Sequence, residues 1–368
     1  MKPRNAVYRA GGLLLPGLPT LLAALTTFVL FMLFLLLQGK PAWQACQLVV
    51  QGAFGSAFAW ENTLQRAAPL MLTALCVALP ARAGLIIIGG EGALVLGGLA
   101  AAVAPLWLPG LPVLPLLLCM ALSAMVVGGF WIGLNGWMRQ KRGLNETIGS
   151  LLLSYVAIAI FNQLVEGPLR DPASLNKPST IPLDDSVMIG PISDAFQVHW
   201  GLVVGVIACL LSQVLVRNSV TGFSLQVVGG NVRTARMIGL PVDRLVILTC
   251  VLGGACAGLA GMFEVAAVQG SANAAIIAGY GASGILVAFA ARHNPLAIIV
   301  CAILLGGIEA SGSLLQRRLG LPNATTLILE GILFTSLLAW EALTPRIVAW
   351  RLRLNERAEQ TQGALQHG

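Results

Sequence analysis

The sequence predicts an all-α, polytopic integral membrane protein, a bundle of about ten transmembrane helices with one short cytoplasmic helix. Three observations predict it. Of 368 residues, 57% are apolar and only 10% charged, against roughly 25% charged in a soluble domain, and the mean hydropathy is +0.84. Apolar runs repeatedly approach the ~20 residues that cross a bilayer core. Lysine and arginine gather in particular connections, as membrane topology requires, so the net charge of +7 reflects orientation and not a nucleic-acid partner.

After a cytoplasmic N-terminal segment, 1–19, the run "TLLAALTTFVLFMLFLLL" from Thr20 to Leu37 carries no charge. It is too long for a signal-peptide core and no small-residue cleavage site follows it, so it is a retained first span. Further spans fall at 67–81, 84–106, 111–134, 147–165, 199–216, 245–267, 281–291, 295–313 and 322–343. The stretch 281–291 is too short to cross alone, which brackets the count between nine and eleven. A transmembrane domain thus occupies 20–343, followed by a cytoplasmic tail, 344–368.

The basic stretches are "MKPRNAVYR", "RQKRG", Arg217 to Arg244 and "PRIVAWRLRLNER"; the loop at 166–198 is acidic, Pro/Ser-rich and irregular. Basic segments inside and this loop outside put both termini in the cytoplasm; Arg317 and Arg318 then fall on the outer side, against the rule. Trp107, Trp200 and Trp340 stand near span ends, where amphipathic rings are favoured. The seven cysteines, Cys46, Cys76, Cys119, Cys209, Cys250, Cys256 and Cys301, lack metal-ligand spacing, and no metal is expected.

The cytoplasmic loop at about 217–244 breaks the apolar pattern to build something small. Asn231 is an N-cap for a helix beginning at Val232, with Gly229–Gly230 giving a sharp turn into it. Gly239 ends it and Pro241 prevents resumption. A helix of about seven residues is unstable alone in water, so it must lean on something. Val232, Ala235 and Ile238 share one stripe; Arg233 and Arg236 share the next. It either rests on its own chain or docks in a partner's groove.

Glu91, Glu264, Glu309 and Glu330 interrupt or border apolar segments. A carboxylate at mid-bilayer costs about 3 kcal/mol or more, so each is interfacial, paired, protonated or facing a wet cavity. Glu91, between Gly90 and Gly92, either lines a polar solute path or bonds a neighbouring backbone. Asn145 and Glu146 either cap a helix at its positive end or shape a gate. Asn162, Gln163, Gln269 and Asn273 lie near outer span ends, where they can hydrogen-bond a hydroxyl-rich solute.

Several motifs fail their context. "GYGASG" fits G-x-G-x-x-G but follows no strand, which excludes a dinucleotide fold. Ser283 in "GASG" lacks a histidine base from another span. Asp184–Asp185 has no second acidic cluster to make a diphosphate–Mg²⁺ site. No G-x-x-x-x-G-K-[ST] occurs, so ATP hydrolysis would belong to another chain.

The segment "GFSLQVVGGNVRTARMIGLPVDRLVILTCVLGGACAGLAGMFE" resembles the coupling-loop region of ABC-type importer permeases of the nucleoside and simple-sugar branch. "GGEGALVLGGLAAA", "LNETIGSLLLSYVA" with "EGPLRDP", and "GYGASGILVAFAARHNPLAIIVCAILLGGIEASG" match in order, together covering about 67–343. Asn145–Glu146 followed by "GPLRDP" is more similar to the nucleoside side. The chain departs at "IIIGGEG", where an asparagine is common, but keeps Glu91.

The resemblance implies a non-enzymatic permease of a bacterial inner (plasma) membrane. It would move nucleosides or nucleobases, with simple sugars as the alternative, by alternating access. It implies a second permease subunit, copy or paralogue, two cytoplasmic ABC ATPase subunits holding the ATP and Mg, and an extracytoplasmic substrate-binding protein. Gly230, Asn231, Val232, Arg233, Thr234, Ala235, Arg236 and Gly239 would form the coupling helix. Glu91, Gly90, Gly92, Asn145, Glu146, Asn162 and Gln269 are the candidate pathway residues. A self-powered secondary carrier is the rival; it needs no rigid cytoplasmic helix, but intramembrane ionisable residues suit it.

Overall fold

The structure, a computed structural model, describes residues 18–344 other than 175–176, 194–195 and 323; the basic segment through residue 17 and the tail from 345 lie outside them. The helices are α1 (Leu18–Leu37), α2 (Ala42–Phe54), α3 (Ala57–Arg82), α4 (Gly90–Trp107), α5 (Val113–Arg142) and α6 (Glu146–Glu166). A short antiparallel pair follows, β1 (Pro191–Ser193) with β2 (Phe196–His199). Then come α7 (Gly201–Asn218), α8 (Val220–Gly230), α9 (Val232–Met237), α10 (Val242–Phe263), α11 (Tyr280–Ala290), α12 (Pro295–Leu319) and α13 (Ala324–Thr344).

Among the described residues nine helices are long and apolar enough to cross a membrane, and Ala274–Ala290 is a shorter apolar one. The ten expected spans are therefore nine full-length helices and one half-length helix. Two helices were missed. α2 is an amphipathic stretch before α3 whose Trp43 and Val50 are exposed. α8 runs through Gly229–Gly230, so the turn expected at that pair falls instead at Asn231, whose backbone is extended (φ −158°, ψ 108°). The loop expected to be irregular contains the β1–β2 hairpin.

The chain divides into two compact units, residues 1–47 with 319–368, and residues 48–318. In the first, Trp340 Nε1 donates to Thr26 Oγ1 (3.3 Å) and Lys40 Nζ to the Leu319 carbonyl (3.2 Å).

In the second, α3, α4 and α10 are the inner helices, with 78%, 67% and 61% of their apolar windows buried, against 28% for each of α5, α6 and α7. Small residues let these helices approach to backbone contact. A side chain on Gly258 of α10 would collide with the Ala124 carbonyl of α5, and one on Gly261 with the Leu94 carbonyl of α4. Within α3, Pro69 and Pro80 each remove an N–H and leave the carbonyls of Gln65 and Cys76 without a helical donor.

The helices have two ends. One gathers Arg82, Arg139–Arg142, α8, α9 and Arg292, and is the basic end. The other carries the 166–198 loop, which is stitched down by Thr180 N–H to Ala272 O (2.9 Å), Leu183 N–H to Gly270 O (2.8 Å) and Ile189 N–H to Ala266 O (2.8 Å). Val187 is buried beside Leu116, Met120 and Met262, so this loop is anchored, not free.

Candidate functional site

The seven candidate pathway residues do not form one site. Asn145 and Glu146 open α6 at the basic end, while Asn162, half-buried on its last turns, and Gln269 lie toward the loop end. Asn145 is a cap: its side chain accepts from the N–H groups of Thr147 (2.9 Å) and Ile148 (3.2 Å). Glu146 is buried, pairs with Arg139, and its carbonyl accepts from Asn135 Nδ2 (3.0 Å). Both favour the positive end of α6.

Glu91, Gly90 and Gly92 occupy a more unusual place. The span expected at 84–106 begins at Gly90, because residues 85–88 are non-helical. Irregular backbone inside a bundle needs partners, and α6 supplies them. Thr147 Oγ1 donates to Ile86 O (3.0 Å), Ser150 Oγ accepts from Ile88 N–H (3.0 Å) and Ser154 Oγ from Gly92 N–H (2.9 Å). That stripe was legible as Thr147, Ser150 and Ser154 at helical spacing, and sequence reasoning passed over it.

The Glu91 carboxylate accepts from the backbone N–H groups of Gly279 (2.9 Å) and Gly281. It thus satisfies orphan donors at the start of α11 and meets that helix's positive end. Gly281 must lack a side chain, since a Cβ there would collide with the Glu91 backbone. Glu91 thus bonds a neighbouring backbone, and "GYGASG" is the loop that receives it.

Nearby, toward the loop end, is a polar cluster that sequence reasoning saw only in part. Arg66 of α3 lies 3.8 Å from Glu309 of α12. Ser283 hydrogen-bonds to Glu309, and Glu264 lies within electrostatic reach of Tyr280 and the Arg66 charge. Glu264 starts a π-helical turn, Glu264–Gln269, that closes the α10 span. Ser283 thus serves a carboxylate, and Arg66 was missed because it sits just before the apolar run.

At the basic end α9 forms a knob. Asn231 caps it, accepting from Arg233 N–H (2.9 Å) and Thr234 N–H (3.2 Å), and Gly239 ends it with φ +81°. The expected apolar stripe is not buried as a unit. Ala235 alone is fully buried, against Leu85, Ile87, Leu225 and Val246, while Val232, Met237 and Ile238 stand 42%, 79% and 61% exposed. One turn and a half can bury only one position; Ala235 is its seat, not its outer face. Arg233 and Thr234 are exposed, and Arg236 pairs with Asp243 (3.3 Å).

The knob's seat meets α3. Gly229 packs so closely on the Arg82 carbonyl that a side chain would not fit. Arg82 Nη2 donates to the His293 carbonyl (2.7 Å) in a turn where Arg292 and His293 hold φ of 50° and 56°, a costly left-handed conformation. Burial, and then the Arg82 charge, hold the His293 imidazole below its ordinary pKa.

Nine apolar membrane-length helices among the described residues, with polar groups between the inner ones, define a polytopic helical membrane protein. The chain belongs to the family described as branched-chain amino acid transport system / permease component, which matches residues 59–338. It is 33% identical over 78% of its length, and 77% of the relative's, to the glucose ABC transporter permease protein TsgB13 of Haloferax volcanii. It is 27% identical to the guanosine ABC transporter permease protein NupP of Bacillus subtilis, over 89% of this chain and 93% of that one. The nucleoside ABC transporter permease protein NupB of Lactococcus lactis is 25% identical over 78% and 82%. The chain is thus a transport permease subunit.

Proposed function

We propose that this permease imports nucleosides or nucleobases by alternating access, driven by separate cytoplasmic ATPases that hold the ATP and Mg. The observation that carries it is the α9 knob. A six-residue helix fixed through Ala235, with Met237 and Ile238 turned to water, suits a handle gripped by another protein. The guanosine and nucleoside permeases among its relatives support the solute class; the glucose permease favours simple sugars as the second reading. In this reading the basic end and both termini face the cytoplasm of a bacterial inner membrane. A binding protein delivers solute near the 166–198 loop, and a second permease, copy or paralogue, completes the complex.

The test uses the full complex in vesicles. Met237→Glu with Ile238→Glu changes only exposed positions, so it should leave a monodisperse permease but lower ATP-driven guanosine uptake at least ~10-fold, about 1.4 kcal/mol of coupling. Ala235→Arg should instead damage the permease itself, because it forces a charge into an apolar seat. Undiminished uptake in the double variant, or accumulation on an ion gradient without nucleotide, overturns the reading.

A further inference from the structure

Arg66 is out of place for a lipid-facing residue. It lies sixteen residues, about 24 Å, along α3 from Arg82, within a helix of membrane-spanning character, yet its side chain is 46% exposed. That places Arg66 about a turn and a half inside the hairpin end of α3, where an arginine facing lipid tails is costly unless it reaches water or a polar partner. Glu309, with only 12% exposure, is a partner on its inner side but does not cover it.

The residues that lead to it are polar as well. Glu61, Asn62, Gln65 and Arg66 fall at i, i+1, i+4 and i+5, which is one face of α3. Glu61 accepts from the Gln197 N–H (3.3 Å), and the Gln65 side-chain amide donates to the Gln197 carbonyl. The face therefore begins beneath the β1–β2 hairpin and ends at Arg66, where Glu309 and the buried Glu264 stand behind it. A continuous polar strip from a loop into a bundle is what a water-filled path requires, and lipid tails would not wet it.

We propose that this face of α3 is a wall of the solute path, and that Arg66 with Glu309 is a specificity-determining pair for the solute's neighbouring hydroxyls. This deepens the import function above and rests on it. A carboxylate accepts from two adjacent hydroxyls while a guanidinium donates to their oxygens. That geometry fits the sugar ring shared by nucleosides and simple sugars. It disfavours an anionic solute, because the Arg66 charge is already opposed by Glu309 and Glu264.

Two readouts test it in vesicles holding the full complex. The first is thiol labelling by a membrane-impermeant reagent added from the loop side, in Asn62→Cys and in Leu211→Cys, whose parent leucine is 66% exposed on α7. Asn62→Cys should react at least ~10-fold faster, since only a hydrated thiol forms the reactive thiolate, and guanosine should slow it. The second is transport: Arg66→Lys keeps the charge but loses the fork and should raise the KM for guanosine about 10-fold or more, with less change in kcat. If Asn62→Cys is unreactive from either side while the parent complex still takes up guanosine on ATP, this face is a packing surface. The path assignment then fails and import stands. If the parent shows no ATP-driven uptake, the import reading itself fails. If Arg66→Lys and Arg66→Gln both keep the parent KM, the pair does not read the solute.

Discussion

The inner helices α3, α4 and α10 and the rim helices α5, α6 and α7 come from one apolar sequence, yet they obey opposite rules. The two most buried of the nine long helices, α3 and α4, have the lowest mean hydropathy of the set. In water the greasiest element would seek the centre; in lipid a leucine gains nothing by leaving the tails. What drives residues inward is the capacity to let a backbone approach or the need to satisfy a polar group. Glycines crowd the α4–α10 contact, Glu91 and Arg66 reside on inner helices, and Glu264 stands just past the end of α10. The rim contributes exposed Leu211, Leu152 and Phe130 but also the serines that hold residues 86–92.

Substitutions can break or sharpen that contrast. Gly258→Leu should have the largest effect, because backbone atoms of α5 occupy the space a side chain needs. Overpacking typically costs about 1–3 kcal/mol and more where backbone must shift, so loss of monodisperse protein after extraction is expected. A fully stable variant would mean the inner packing is slack. Glu91→Gln comes next: the amide can still accept one of the two N–H bonds, but presents NH₂ to the other. An unmet buried donor costs about 1–3 kcal/mol, so the melting temperature should fall and uptake should slow; unchanged values for both would remove Glu91 from the framework. Leu211→Ala on the rim should be smallest, within about 0.5 kcal/mol. A larger drop there would show that this face of α7 is covered by protein.

Much of the fold was legible because hydropathy runs mark long helices well. Asn231, Gly239 and Asn145 are recognisable for a local reason: caps depend on the next three or four residues only. Misses arose where the cause is tertiary. The break at 85–88 is tolerated because Thr147, Ser150 and Ser154 on another helix bond it, and no local composition announces that. Arg66 was passed over since its partner Glu309 is distant in sequence. Burial of Ala235 without Val232 or Ile238 reflects the shape of the seat formed by Leu85, Ile87, Leu225 and Val246, which periodicity does not encode.

The two prolines of α3 give that helix an uneven compliance. Each deletes a rung of its hydrogen-bond ladder, so bending at Gln65 or Cys76 breaks nothing that was formed, while the turns between are stiff. One soft point adjoins Arg66; at the other, Gly253 of α10 rests on the Cys76 carbonyl. A displacement arriving at the foot of this rod, where Gly229 abuts Arg82, would therefore be spent as angle at those two joints and not as a general loosening of the shaft.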